Sequence, residues 1–218
     1  MRSVHGHEAT LDDALDFINT LHFESDEHAA GTHDQIGEVG AGVDWLAERG
    51  LAHRPRDPDD RAIDEARATE KIGRCRDAMR ELFDATVEQR RIRREALAEL
   101  NRVLRHREVI ELVADDSGAR LDHRHVGDPV DDALARLAEA LARVVGEEDT
   151  SRLRICANDS CRWAFHDNSP TGRRRWCDMS SCGNRAKAAR HRARVRASAG
   201  AAASPRKAAN PEPASLHA

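Results

Sequence analysis

Residues 156–196 read CANDSCRWAFHDNSPTGRRRWCDMSSCGNRAKAARHRARVR and hold four of the five cysteines in the chain. Cys156 and Cys161 form one C-x4-C pair, Cys177 and Cys182 a second, with fifteen residues between the pairs. Zn²⁺ takes a tetrahedron of soft ligands, and two local thiolate pairs supply one at little loop-closure cost. The intervening span is long enough for a short hairpin that brings the pairs together. Two disulfides, or four unrelated thiols, are the competing readings. Disulfides require an oxidising compartment, and the chain opens with no secretory pattern. The spacing therefore predicts one Zn²⁺ per chain, held by Cys156, Cys161, Cys177 and Cys182.

The residues around the second pair give the metal a use. Arg185, Lys187, Arg190, Arg192, Arg194 and Arg196 follow it among alanines, with no acid. Such a composition predicts a basic helix growing from the metal site, with Ser180 or Ser181 as its N-cap. Arg173, Arg174 and Arg175 add three charges to the expected hairpin tip. Trp163 and Phe165, one residue apart, suit a strand that turns one face toward the metal. Asp167, an acid in a basic segment, is expected to pair internally. Hairpin, metal and helix in this order make a treble-clef-like finger, similar in outline to GATA-type fingers, whose spacings differ.

Cys182-Gly183-Asn184-Arg185 and its flanks, FHDNSPTGRRRWCDMSSCGNRAKAARHRAR, resemble the CGNR zinc finger throughout. In that family the finger closes a protein whose amino-terminal part is the ABATE domain, a family named for stress-induced transcription regulation. LDDALDFINTLH (11–22) and VDWLAERGL (43–51) resemble blocks of that domain. Together the likenesses extend to about Arg196. They imply a bacterial regulator of transcription.

Charge divides the chain in the same place. Residues 1–150 carry 21 Lys+Arg against 35 Asp+Glu, a net of −14, and residues 151–218 carry 14 against 4, a net of +10. A basic half that folds is an electrostatic footprint for nucleic acid. No apolar run approaches the length of a membrane span. With reduced thiolates, the cytoplasm is the expected location.

Periodicity predicts a mainly α amino-terminal domain with a small β-hairpin, an α+β fold, ahead of the finger. Thr10 and Asp13 form a capping box, with Asp in place of Glu or Gln, before Leu11, Leu15 and Ile18 at helical spacing. A short buried strand over 15–18 competes there. The span from His22 to Gly42 reads as a polar loop; His22, His28 and His33 are too unevenly spaced to prefer a metal over solvent. Further helices are expected over 43–49, stopped by Gly50, over about 59–90 with Cys75 in its apolar stripe, and over 96–104. Gln89–Glu95 reads as a solvated turn. Val109–Val113 and Arg120–Val126 flank turn residues as a hairpin, and Asp128-Pro129 starts a helix that Gly146 ends. The expected divisions are 1–150, acidic and mostly helical; 151–197, the finger, after a hinge at Glu147–Ser151; and 198–218, a disordered tail.

These features favour a zinc-dependent, DNA-binding transcription regulator with an amino-terminal sensing or dimerisation domain. Arg173, Arg174, Arg175, Arg185, Lys187, Arg190 and Arg194 are the candidate nucleic-acid contacts, although Asn184 and Arg185 equally suit hydrogen bonds to thiolates or backbone. The partners implied are double-stranded DNA, a second copy of the chain and a small-molecule effector, with no membrane. Asp16, Asn19 and Thr20, polar groups in an apolar segment, are candidate effector ligands or, alternatively, braces of the fold. RNA or ribosome binding, and a zinc adaptor for an acidic protein, are the other readings. An enzyme is not expected: four thiolates leave zinc no open position, and no nucleophile elbow, phosphate loop or HExxH motif is present.

Overall fold

The computed structural model describes residues 8–26, 29–52, 64–106, 109–115, 118–124 and 128–202 of the 218. It falls into two compact units, Met1–Cys177 and Asp178–Ala218. Among the described residues the first unit is a helical core bordered by three two-stranded antiparallel hairpins.

Helix α1, Leu11–Ile18, starts with the capping box that Thr10 and Asp13 predict. The Asp13 amide donates to Thr10 Oγ1 at 3.2 Å, and Asp13 Oδ2 accepts from the Thr10 amide at 2.8 Å. With two orphan donors satisfied and Ala14, Leu15, Phe17 and Ile18 all inward, the helix wins over the competing strand. Helix α2, Ala41–Glu48, ends as expected at Gly50, whose φ of 67° is the left-handed cap conformation. Helix α3, Glu65–Val87, is capped by Asp64, and the first part of the expected 59–90 helix lies outside the described residues. It buries Ala68, Ile72, Cys75, Met79 and Phe83 along one face. Burial pushes the Cys75 thiol up to about 12, so it is an inert part of the core. Where α2 meets α3, a Cβ on Gly42 would stand 2.8 Å from Ile72 Cδ1, so any larger residue would force the Ile72 side chain to shift. Helices α4, Arg94–Val103, and α5, Pro129–Glu147 with Asp128 as N-cap, close the core on Leu100, Val103, Leu134, Leu137 and Leu141.

The span read as a polar loop after His22 is structured, and the turn at Gln89–Glu95, exposed as expected, is anchored to the core. The span after His22 forms a hairpin, β1 Leu21–Asp26 with β2 Ala29–Asp34. Neither strand has a β-rich pattern; Asp34 fastens the second to α3 by chelating Arg76 Nη1 and Nη2 at 2.5 and 2.8 Å. The charged turn Gln89–Glu95 is tied down by buried Glu81. Arg90 Nη1 and Nη2 donate to its two oxygens at 2.7 and 3.1 Å, and the Arg93 amide donates at 3.1 Å. The second hairpin, β3 Val109–Asp115 and β4 Gly118–Arg124, lies where its turn residues placed it.

The third hairpin is β5 Leu153–Ile155 with β6 Ala164–His166. Leu153 and Ala164 belong to the same buried cluster as Ile18 and Leu141. Asn19, at the end of α1, donates Nδ2–H to the Ala164 carbonyl at 2.8 Å and accepts the Ala164 amide at 2.9 Å. That is the exchange of bonds a neighbouring strand would make, supplied by one side chain. Replacing Asn19 by Ala should cost about 2–4 kcal/mol, since two buried backbone groups lose their partners. Replacing exposed Asp16 by Ala should stay within about 0.5 kcal/mol. Urea unfolding of both variants checks this; equal stability would remove the brace.

Glu81 sets a pH dependence. Its hydrogen bonds from Arg90 outweigh burial and, with the Arg93 amide, hold the carboxyl at about 2 against an ordinary 4.5. The folded state therefore favours the ionised form. That stabilisation is complete above the ordinary value and is lost as pH falls through it toward 2. Glu81→Gln should flatten the acid limb of stability over this window in pH-dependent thermal unfolding, at the cost of lower stability near neutrality.

Candidate metal centre and nucleic-acid interface

The turn between β5 and β6 shapes the first cysteine pair. The Cys156 amide donates to the Trp163 carbonyl at 2.9 Å, and the Cys161 amide to the Asn158 carbonyl at 2.8 Å. Arg162 follows in the left-handed region, with φ 48°. The Ala157 amide donates to the Arg175 carbonyl at 2.8 Å, which joins this turn to the strand of chain leading to Cys177. At the second pair, Asp178 rather than Ser180 or Ser181 is the cap. Its carboxylate accepts from the Ser181 amide at 2.7 Å and from Ser180 Oγ at 2.5 Å. The reason is a π-turn, Met179–Gly183, that begins before the basic helix and carries Cys182.

The four Sγ atoms of Cys156, Cys161, Cys177 and Cys182 all lie within 4.8 Å of one another. Cys161 and Cys177 are 3.7 Å apart. Metal–sulfur bonds of about 2.3 Å in a tetrahedron give an edge of about 3.8 Å, whereas a disulfide needs about 2.05 Å. None of the four is in a disulfide. Burial, and then the Cys161 and Cys156 sulfurs beside it, push the Cys177 thiol far up. Four thiolates this close require a dication between them, which is what the donor set offers Zn²⁺. The set is complete with sulfur, so the metal would supply structure.

Asp167 is fully buried and pairs internally, as its setting among arginines suggests. Burial alone would raise its pKa, but hydrogen bonds from Ser169 and the Arg174 amide hold it at about 2. The two amides donate at 3.0 and 2.8 Å. Arg174 has a structural task of its own: its guanidinium lies 5.2 Å over the Phe165 ring and donates to the Cys177 carbonyl. Arg173 and Arg175 are exposed. In the second unit, helix α6 runs Asn184–Ala202, past the Ser198 at which sequence put the start of a tail; residues 203–218 lie outside the described residues. Asn184 Nδ2 donates to the Ser180 carbonyl at 2.9 Å, a backbone role. Arg185, Lys187, Arg190, Arg192, Arg194 and Arg196 are all exposed.

Residues 152–195 match the model of the CGNR zinc finger. Residues 12–148 match the ABATE model, described as "Putative stress-induced transcription regulator". The chain belongs to the ABATE family. No curated protein matches it. Among the described residues no helix is long and apolar enough to cross a membrane.

Within the ABATE part the three candidate effector ligands are not brought together. Asp16 is exposed, while Asn19 and Thr20 are buried. Thr20 Oγ1 donates to the Phe17 carbonyl at 2.7 Å and accepts from Arg76 Nη1 at 3.4 Å, and Asn19 braces Ala164. His22 and His33 are cross-strand partners with rings 5.3 Å apart; His28 lies outside the described residues. What sequence missed is the connection from α3 to the metal turn. Arg80 Nη2 donates to the Arg162 carbonyl at 2.6 Å, and Arg162 Nη2 reaches Glu88 at 3.1 Å. No spacing signals a pair 82 residues apart.

Elemental analysis should find one zinc per chain. Structural zinc contributes about 10–16 kcal/mol of apparent binding free energy, so chelation should strip protection from β5, β6 and the turn between them in hydrogen exchange. A metal-free protein with paired disulfides by mass spectrometry would sink this.

Proposed function

We propose that this ABATE-family chain is a zinc-dependent regulator of transcription that binds double-stranded DNA in the cytoplasm through α6. The carrying observation is the helix itself: 19 residues with six cations, no acid, and every described side chain from Lys187 onward exposed. At 1.5 Å per residue it is about 28 Å long, and the major groove admits one α-helix. Like charges four apart along it, Arg190 with Arg194 and Arg192 with Arg196, repel one another, so an anionic partner would stabilise it. Phosphates suit that role: they neutralise the cations, and one or two arginines can then read base edges. Exposed Arg173 and Arg175 add phosphate contacts; Arg174, engaged by Phe165 and Cys177, does not. The ABATE part serves as the sensing or dimerisation portion. A metal held by four thiolates has no site for a substrate, which favours regulation over catalysis.

Duplex binding should weaken steeply with salt, each phosphate contact adding about −0.9 to the log–log slope. Arg194→Ala should flatten the slope by about one contact at any sequence, and Arg174→Ala should act through lost zinc-site order instead. Substituting an arginine that reads a base should cost about 1–3 kcal/mol at the preferred site alone. Titrations against duplex DNA and structured RNA over a range of salt decide it. Preference for RNA, or equal binding of every sequence, would remove this reading in favour of a ribosomal or adaptor role.

A further inference from the structure

The first unit contains a cavity of about 470 Å³ bordered by the end of α1, the start of β1, helix α3 and the metal turn. That volume suits a small organic molecule. Its apolar side is made by Ile18, Leu21 and the ring of His22. Its lining also includes Cys161, a metal ligand by its place in the four-thiol cluster, and Arg162.

Most charges on its rim are already matched. Arg76 chelates Asp34, and Arg80 donates to Asp84 and to the Arg162 carbonyl. Glu81 is taken by Arg90 and by the Arg93 amide. Two guanidinium groups keep donors in hand. Arg93 comes nearest to an acid through Nε, 3.3 Å from Glu81. Arg162 uses only Nη2, 3.1 Å from Glu88 and 3.9 Å from Asp84. Among the described residues their other side-chain nitrogens make no hydrogen bond. Asp77 is the one rim carboxylate without a hydrogen bond there; its nearest cation, Arg76 Nε, is 3.6 Å away. The cavity thus joins an apolar side to a rim richer in donors than in acceptors.

We propose that this cavity is an effector site for a small organic carboxylate with an aromatic or branched apolar body. The body lies against Ile18, Leu21 and His22, and the carboxylate takes the spare donors of Arg93 and Arg162 in charge-assisted hydrogen bonds. The site reports to the metal turn. Arg162 sits in a left-handed conformation directly after Cys161, with its carbonyl held by Arg80 and its side chain by Glu88. A carboxylate held on the spare donors of Arg162 loads the residue next to the thiolate. The inference does not depend on what α6 binds.

The test uses the full zinc-loaded chain, with benzoate, phenylacetate, indole-3-acetate and isovalerate as probes and their amides as controls. At least one carboxylate should bind saturably by calorimetry and raise the melting temperature, and its amide should do neither. Arg93→Gln and Arg162→Gln should each weaken binding at least about tenfold, the loss of one hydrogen bond to a charged group. Arg105→Gln, exposed and outside the cavity, should leave it unchanged. In cobalt-substituted protein, the bound carboxylate should shift the thiolate–metal absorption. The proposal is overturned if no carboxylate binds, if amides bind as well, or if both arginine variants keep wild-type affinity. An unchanged cobalt spectrum at saturation removes the metal turn from the site. None of these readouts contains nucleic acid, so their failure is separate from failure of the DNA-binding reading.

Discussion

One side-chain amide holds the metal turn to the helical core. Asn19 meets both backbone groups of Ala164, 145 residues away, in a place where a buried peptide has no water to turn to. Without it the β5–β6 hairpin is a three-residue pair of strands, too short to stand alone. With it, Leu153 and Ala164 can enter the same core as Ile18, and α3 can reach the turn through Arg80. The family models end one match at residue 148 and begin the next at 152, while the compact units part between Cys177 and Asp178. The two divisions measure different things: stretches of sequence with their own ancestry, and stretches of chain that share buried contacts.

How much of this could be read beforehand depended on sequence distance. The metal ligands were legible because each pair is local and two such cysteine pairs at this spacing have few rival uses. Helices α1 to α5 were legible from apolar spacing and from caps such as Thr10 with Asp13, Gly50 and Asp128. The β1–β2 hairpin was not, because LHFESD and AAGTHD have no alternating pattern and owe their place to the distant Asp34–Arg76 pair. Asn19 was visible as a polar residue in an apolar segment, yet nothing local named Ala164 as its partner. Arg174 looked like one of three equal cations; only the folded hairpin shows Phe165 beneath it.

The same limit applies to charge. Counting residues separates an acidic stretch from a basic one, but it does not say which charges are spent. In the first unit the arginines on α3 and the turn after it are largely spent. Arg76, Arg80 and Arg90 all meet carboxylates at hydrogen-bond distance, and Glu81 holds the turn that Arg90 and Arg93 belong to. These pairs are partly shielded from solvent, where Coulomb attraction is stronger and salt screens it less. Along α6 the same residue type has no acid within the helix to meet. Its nearest intrahelical contact for Arg190 is a carbonyl, that of Ala186 at 3.3 Å. An arginine that neutralises a neighbour contributes to the fold; one that stays solvated retains its full attraction for an outside anion. The division between these two uses, more than the net charge of either stretch, is what distinguishes the arginines of α6 from those of α3.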